Sequence, residues 1–251
     1  MNIEALPSLY PAFIAVTYYA LVIFLAEVSR KLVDLVTKKG STLYIFLIEL
    51  IAVSQQCTCV YENGVMIKHY GAFGFFCAVV GILVVTSRFN RGAFVSPFMP
   101  IEMFYRGSIS TERFLTVLFA QSLGGYSAYR IANTLWYYTV NYSADHALFY
   151  RDLPCSIQYK VPFAYVIAYE VFGCFMIRLL ITKVPENYKR FIVPVIFGSF
   201  LSFALTYVGI PALNPWFLIV YWCAPVCGWL LAAALDKNRK LKAGGKNKKK
   251  K

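Results

Sequence analysis

Seven apolar stretches recur along the chain, and they constrain its fold more than any other feature. They lie at residues 8–29, 42–61, 70–87, 112–137, 161–182, 190–209 and 216–235. Each has about the 20 residues that an α-helix needs to cross the hydrocarbon of a bilayer. Because a helix satisfies its own backbone hydrogen bonds in lipid, the sequence predicts an all-α, multi-pass integral membrane protein. The composition agrees, with 59% hydrophobic and only 15% charged residues.

Positive charge is concentrated at one end of the chain and in every second connection between the apolar stretches. The formal charge is +13, and Asp236–Lys251 alone contribute +8 through nine Lys or Arg and one Asp. The other basic connections lie at 30–39, 88–113 and 183–190, and they alternate with near-neutral loops at 62–69 and 141–160. Because basic flanks stay on the cytosolic side, we predict a cytosolic C-terminus. The tail is expected to contact lipid and not nucleic acid, since no nucleic-acid motif accompanies the charge.

Asn141-Tyr142-Ser143 is an acceptor sequence for N-linked glycosylation, and it falls in the near-neutral loop 141–160. The alternation of charge assigns that loop to the non-cytosolic side, where such sites are used. Asn141 is therefore a candidate glycosylation site, and its position agrees with the predicted topology.

Few residues offer catalytic or metal chemistry. The seven cysteines are scattered mostly through apolar stretches, without the spacing of zinc ligands or of a disulfide framework. The two histidines, His69 and His146, lie in or beside polar connections, and no nucleophile or acid–base pattern accompanies them. We therefore expect no enzyme activity, no metal site and no cofactor.

The two halves of the chain follow a similar plan. In the first half Glu49 lies in an apolar stretch, and Ser96-Pro97-Phe98 begins 47 residues later. In the second half Glu170 lies in an apolar stretch, and Asn214-Pro215-Trp216 begins 44 residues later. Three spans per half is an odd number, so the second copy must be inverted in the membrane. Inverted repeats of this kind build a central site in many transport proteins.

Three further motifs make the chain resemble the aquaporin (major intrinsic protein) family over about residues 42–235. They are Gly92-Ala93-Phe94-Val95-Ser96-Pro97, then Ala120-Gln121-Ser122-Leu123-Gly124, and finally Tyr221-Trp222-Cys223-Ala224-Pro225-Val226-Cys227-Gly228. The run Ile48-Glu49-Leu50-Ile51-Ala52, followed by Gln56-Cys57, Cys59 and Glu62, is similar to the unorthodox, or super-aquaporin, branch.

This resemblance implies an inverted repeat of three helices plus re-entrant loops, with an extra N-terminal apolar segment. The implied parts are the N-terminal segment and connector at 1–41, a channel domain at 42–235 and a basic cytosolic tail at 236–251. Within the channel domain, repeat 1 covers about 42–140 and repeat 2 about 161–235. The resemblance also implies a homotetramer in an intracellular membrane, above all the endoplasmic reticulum. The expected solutes are water and small neutral molecules such as glycerol and hydrogen peroxide.

The pore residues follow from the same resemblance. Ser96-Pro97-Phe98 stands for the first Asn-Pro-Ala box, and Asn214-Pro215-Trp216 for the second. Glu49 and Glu170 are expected to brace the backbone of the pore loops. Phe76 lies where the family often has a selectivity-filter aromatic, although spacing alone also allows a side chain that faces lipid or another helix.

The second half departs from the family pattern. Asn214 precedes Pro225 by only 11 residues, an interval shorter than the family's by nearly a whole half-helix. Asn214-Pro215 is therefore either the second box or only the cap of the last helix. The first reading predicts a channel, and the alternative is a non-conducting membrane protein of aquaporin descent that acts through partners.

The tail ends in four lysines, Lys248 to Lys251. Lysines at the third and fourth positions from a cytosolic C-terminus resemble the dilysine retrieval signal of the endoplasmic reticulum. The other reading is a polybasic patch that binds anionic lipid. The branch resemblance favours the endoplasmic reticulum.

Overall fold

The computed structural model describes residues 9–151, 158–210 and 219–248. Its contacts divide the chain into two units, Met1–Pro154 and Cys155–Lys251. We call them unit 1 and unit 2 and describe each by itself.

All the regular secondary structure in the described residues of unit 1 is α-helical. Its helices are α1 (Tyr10–Val36), α2 (Thr42–Thr86), α3 (Phe98–Tyr105), α4 (Thr111–Thr139) and α5 (Ala144–Arg151). α1 packs against α2, α2 packs against α4, and both α3 and α5 pack against α4. Serine caps begin the two long helices after α1, because the hydroxyls of Ser41 and Ser110 each accept an N–H of the first turn.

α2 contains two helical sections separated at Gly71, where φ is 61° and ψ is −153°. Glycine tolerates this conformation because it lacks a Cβ. The two sections correspond to the predicted stretches 42–61 and 70–87. The interval 62–69, which we expected to be a loop, is instead helical. Polar residues there favour a loop, but Glu62 and Asn63 are buried and hydrogen-bond to side chains of other helices.

Unit 2 consists mainly of three helices. Its elements are β1 (Gln158–Tyr159), α6 (Phe163–Lys183), α7 (Glu186–Phe203), a π-helical turn (Ala204–Val208), β2 (Gly209–Ile210), a second π-helical turn (Ile219–Cys223) and α8 (Ala224–Lys248). α6 packs against both α7 and α8. β1 and β2 form a two-residue antiparallel pair. Beside it, the Lys160 ammonium donates to the carbonyls of Leu205 and Thr206 at 3.1 and 2.9 Å, in the π-helical turn that follows α7. A cation is favourable at such a C-terminal end of a helix.

Four helical segments of the described residues are long and apolar enough to cross a membrane. They are Tyr10–Val36, Thr42–Thr86, Phe163–Lys183 and Glu186–Val208, and Val220–Asp236 is a shorter apolar helix. α4 is long but less apolar, since it carries Glu112, Arg113 and Arg130. The all-α membrane architecture predicted from the sequence is confirmed.

The same close helix contact occurs once in each unit. A methyl group added to Gly124 in α4 would lie 3.0 Å from the Leu50 carbonyl oxygen in α2. One added to Gly228 in α8 would overlap the Val171 carbonyl oxygen in α6. Leu50 and Val171 each directly follow the buried glutamate of their helix. In both units a motif glycine therefore lets two helices approach beside a buried carboxylate.

Candidate functional site

The loop 87–97 joins α2 to α3 and has an unusual backbone. Its residues Arg91, Gly92 and Val95 have positive φ angles of 47°, 82° and 64°. A left-handed conformation costs a non-glycine residue about 1–2 kcal/mol. Contacts from outside the loop must therefore hold Arg91 and Val95 in place, and they come from three helices.

A carboxylate from α2 and an amide from α4 bind one end of this loop. Glu49, only 2% exposed, accepts the backbone N–H groups of Phe94 and Val95 at 2.9 and 2.7 Å. The Gln121 side-chain amide donates to Glu49 at 2.8 Å and to the Ser96 carbonyl at 3.1 Å. The backbone just before α3 is thus bound by two buried side chains, and we call Glu49 and Gln121 the loop brace.

Ser96 and Pro97 lie directly before α3, and Phe98 is its first residue. All three residues are partly buried. Among the described residues none hydrogen-bonds to the Ser96 hydroxyl, which leaves that group available to a small polar molecule. The first N–H groups of a helix also lack intrahelical partners. The start of α3 therefore presents hydrogen-bond donors beside the Ser96 hydroxyl, which none of the described residues binds.

The structure describes some of the other predicted residues and not others. Phe76 is partly buried in the second section of α2, and Asn141 is exposed in the turn before α5. Asn214, Pro215 and Trp216 lie outside the described residues. Their role as a second box therefore stays a prediction.

Glu170 occupies in α6 the place that Glu49 has in α2. Its side chain is buried, with 8% exposed, and none of the residues that the structure describes donates a hydrogen bond to it. A buried carboxylate is costly unless it accepts hydrogen bonds. A carboxylate that braced a loop in the second half of the chain would be buried in this way, so the burial of Glu170 agrees with that expected role.

Sequence reasoning missed a second buried polar group in unit 1, the Glu62 cluster (Glu62, Trp136, Thr139 and His146). Glu62 is fully buried in α2 and accepts the Trp136 indole N–H at 3.0 Å. His146 Nε2 lies 3.0 Å from the other oxygen of Glu62, and His146 Nδ1 lies 2.7 Å from the Thr139 hydroxyl. The cluster joins α2, α4 and α5.

The side chain of Trp136 is completely buried, so it does not belong to the belt that Trp and Tyr residues often form at a membrane interface. Tyr137 and Tyr138 next to it are exposed, at 57% and 71%. The available signal was Glu62 itself, since a carboxylate in so apolar a chain needs a partner.

A salt-bridge group connects α5 to α2 beside this cluster. The Asp145 carboxylate lies 2.6 Å from Lys68 Nζ and 2.7 Å from His69 Nε2. Burial raises the pKa of Asp145, but the bonds from Lys68 and His69 outweigh it and hold the pKa below its ordinary value. Asp145 therefore stabilises the folded state through its charged form.

The sign of this shift predicts how stability depends on pH. A carboxyl group with a depressed folded pKa contributes its full stability above its unfolded pKa of about 3.9, and loses it as pH falls through the folded value. We expect Asp145→Asn to lower the melting temperature at pH 7, and the difference between the two proteins to shrink as pH falls from about 3.9 through the folded pKa of Asp145. Thermal unfolding in detergent between pH 7 and pH 3 measures this difference. A constant gap across that range would contradict the assignment.

The chain is similar to one curated protein in particular. It is 35% identical to a Caenorhabditis elegans protein named "Putative aquaporin-10" over an alignment of 251 positions, which takes in 92% of this chain and 89% of the relative. No protein-family model and no solved structure matches the chain.

Proposed function

The chain belongs to the aquaporin (major intrinsic protein) superfamily, and from this premise we propose that it is a passive transmembrane channel for water. A channel for water or small solutes is the general function that the relationship supports. Glycerol and hydrogen peroxide are the further solutes that we propose. The observation that carries the proposal is the loop brace, since Glu49 and Gln121 bind the backbone on both sides of Val95 and lead directly to Ser96.

The first half of the pore would act through Ser96 and the start of α3. The N-terminus of a helix carries a partial positive charge, which opposes the passage of cations. The Ser96 hydroxyl can donate to a water oxygen and accept from another water, so a water molecule can exchange partners as it passes. Phe98 would add an apolar surface next to this polar point, and Phe76 is proposed as the aromatic of the selectivity filter.

The second half is proposed to mirror the first. Glu170 would brace the backbone of the second pore loop, and Asn214-Pro215-Trp216 would form the second box. The buried carboxylate of Glu170 and its matching position beside a close helix contact support this assignment. The short interval between Asn214 and Pro225 supports the alternative, a non-conducting protein of the same descent that acts through partners.

We also propose a homotetramer of the super-aquaporin branch, resident in the endoplasmic reticulum with its C-terminus in the cytosol. The motif resemblance, the basic tail and the alternating charge of the connections support these points. Asn141, exposed in its turn, is the proposed glycosylation site.

Water permeability of reconstituted vesicles tests the proposed function. We expect vesicles with the purified chain to shrink faster than empty vesicles in a hyperosmotic jump. Ser96→Ala is expected to lower the protein-dependent permeability about fivefold, the effect on a barrier of one hydrogen bond of about 1 kcal/mol. Ser96→Asn restores a donor and is expected to retain permeability.

Ser87→Ala is a matched control. Ser87 is an exposed serine at the other end of the same loop, and its hydroxyl donates to the Val84 carbonyl of its own helix. This variant should conduct like the natural chain. Permeability at the lipid baseline, with the protein inserted and folded, would contradict the channel and support the non-conducting alternative.

A further inference from the structure

We infer that α1, the helix that precedes the repeat, is a positioning element for the loop 87–97, and that it acts through ion pairs of Glu27 and Asp34 with Arg91. The inference rests on the proposed function only in that this loop leads to Ser96. The loop brace binds the end of the loop near Val95, whereas α1 binds the end near Arg91.

Glu27 and Asp34 bind the guanidinium of Arg91 from two sides, and we call this group of three side chains the clamp. Arg91 Nη1 and Nη2 each lie 2.7 Å from a different oxygen of Glu27, and Arg91 Nε lies 2.8 Å from Asp34 Oδ2. The same side chain donates to the Phe89 carbonyl at 3.1 Å. Fork-to-fork pairing of guanidinium and carboxylate specifies orientation as well as position. The three charged side chains are about one-fifth exposed, so solvent screens them only in part.

The network around these ion pairs extends into α2. Arg30, fully buried, donates to Gln55 at 2.6 Å and lies 3.8 Å from Glu27. The Tyr44 hydroxyl donates to Asp34 at 3.0 Å. Two arginines therefore face two carboxylates, and side chains of α2 hold one member of each pair.

The backbone of Arg91 explains why the clamp matters. Its φ of 47° suits glycine far better than arginine. Glycine would form this turn with less backbone strain. The ion pairs of the arginine side chain therefore stabilise a backbone conformation that arginine alone does not favour. The hydrogen bonds to Glu27, and after them those to Asp34, hold the pKa of Arg91 above its ordinary value. The clamp thus stays charged over the physiological pH range.

Two substitutions of Arg91 separate the side chain from the backbone. Arg91→Gly relieves the positive φ and removes every ion pair, whereas Arg91→Lys keeps the charge but loses the fork. We expect the amides of residues 88–97 to exchange with deuterium roughly five- to thirtyfold faster in Arg91→Gly. Arg91→Lys should lie between Arg91→Gly and the natural chain. Hydrogen–deuterium exchange followed by mass spectrometry measures these rates without any transported solute.

The controls address local and general effects. Glu186→Gln removes an exposed carboxylate that pairs with Lys189, and it should leave loop exchange unchanged. Peptides from α5 and α6 should exchange at the natural rate in both Arg91 variants. A natural rate of loop exchange in Arg91→Gly would overturn the inference. Equally faster exchange throughout unit 1 would also overturn it, because Arg91 would then be only a general stabiliser.

Permeability adds a reading that general stability does not supply. If the natural chain conducts water, Arg91→Gly should lower permeability more than Asp145→Asn does, since Asp145 stabilises unit 1 away from the loop. Equal losses in the two variants would overturn the positioning role. If the water permeability of the natural chain stays at the lipid baseline, the proposed channel function is contradicted. The exchange rates still test whether the ion pairs of Arg91 position the loop.

Discussion

Replacing Glu49 by glutamine should destabilise the protein by about 2–4 kcal/mol, because the site has three N–H donors and a carboxylate with two acceptor oxygens. Glu49 accepts from Phe94 N, Val95 N and Gln121 Nε2 within 2.9 Å. An amide would offer one oxygen and turn an NH₂ group toward other donors. The loop would then lose the contacts that precede Ser96, so water permeability should fall to the lipid baseline as well.

Thermal unfolding in detergent and vesicle permeability measure the two effects on the same preparation. Gln121→Leu removes one donor but leaves the bonds from Glu49 to the loop, so its loss of stability should be smaller. Glu186→Gln makes the same chemical change at an exposed carboxylate, 83% accessible, and should leave both readings unchanged. A melting temperature of Glu49→Gln within error of the natural chain would contradict the loop brace.

Most of the fold could be predicted because the thickness of the hydrocarbon layer sets the length of an apolar helix that crosses it. Residues 62–69 show where this reasoning stops. Polar residues between two apolar stretches favour a loop, yet α2 continues through them to Gly71. Glu62 finds its partners on α4 and α5, far away in sequence, and a local pattern carries no record of such pairs.

Some residues of the candidate site could be predicted from the sequence and others could not. Glu49, Ser96 and Gln121 could be predicted, because each of them lies in a sequence motif and the motifs follow one another at a characteristic spacing. The pairing of Glu27 with Arg91 could not be predicted, since neither residue belongs to any of the motifs. The second box at 214–216 stays a prediction from the sequence, together with the role of Glu170.

Replacing Glu62 by leucine is the second change with a large expected effect, a loss of about 3–5 kcal/mol. Leucine would leave the Trp136 N–H and His146 Nε2 buried without their partner, and both side chains are at most 1% exposed. α5 should then open more often from the rest of unit 1, because Glu62 is the partner in α2 of the buried His146 side chain. Faster deuterium exchange in residues 143–151, together with a lower melting temperature, measures this loss.

Glu62→Gln distinguishes a hydrogen-bond role of the Glu62 cluster from a charge role. The glutamine oxygen can accept the Trp136 N–H, and its NH₂ group can donate to His146 Nε2 when the ring proton lies on Nδ1 and is donated to Thr139. Every buried group then keeps a partner, so we expect a loss below about 1.5 kcal/mol. A loss as large as that of Glu62→Leu would contradict this, and would mean that the carboxylate acts through its charge. Trp136→Phe removes a single donor and should lie between the two variants, because the His146 contact remains.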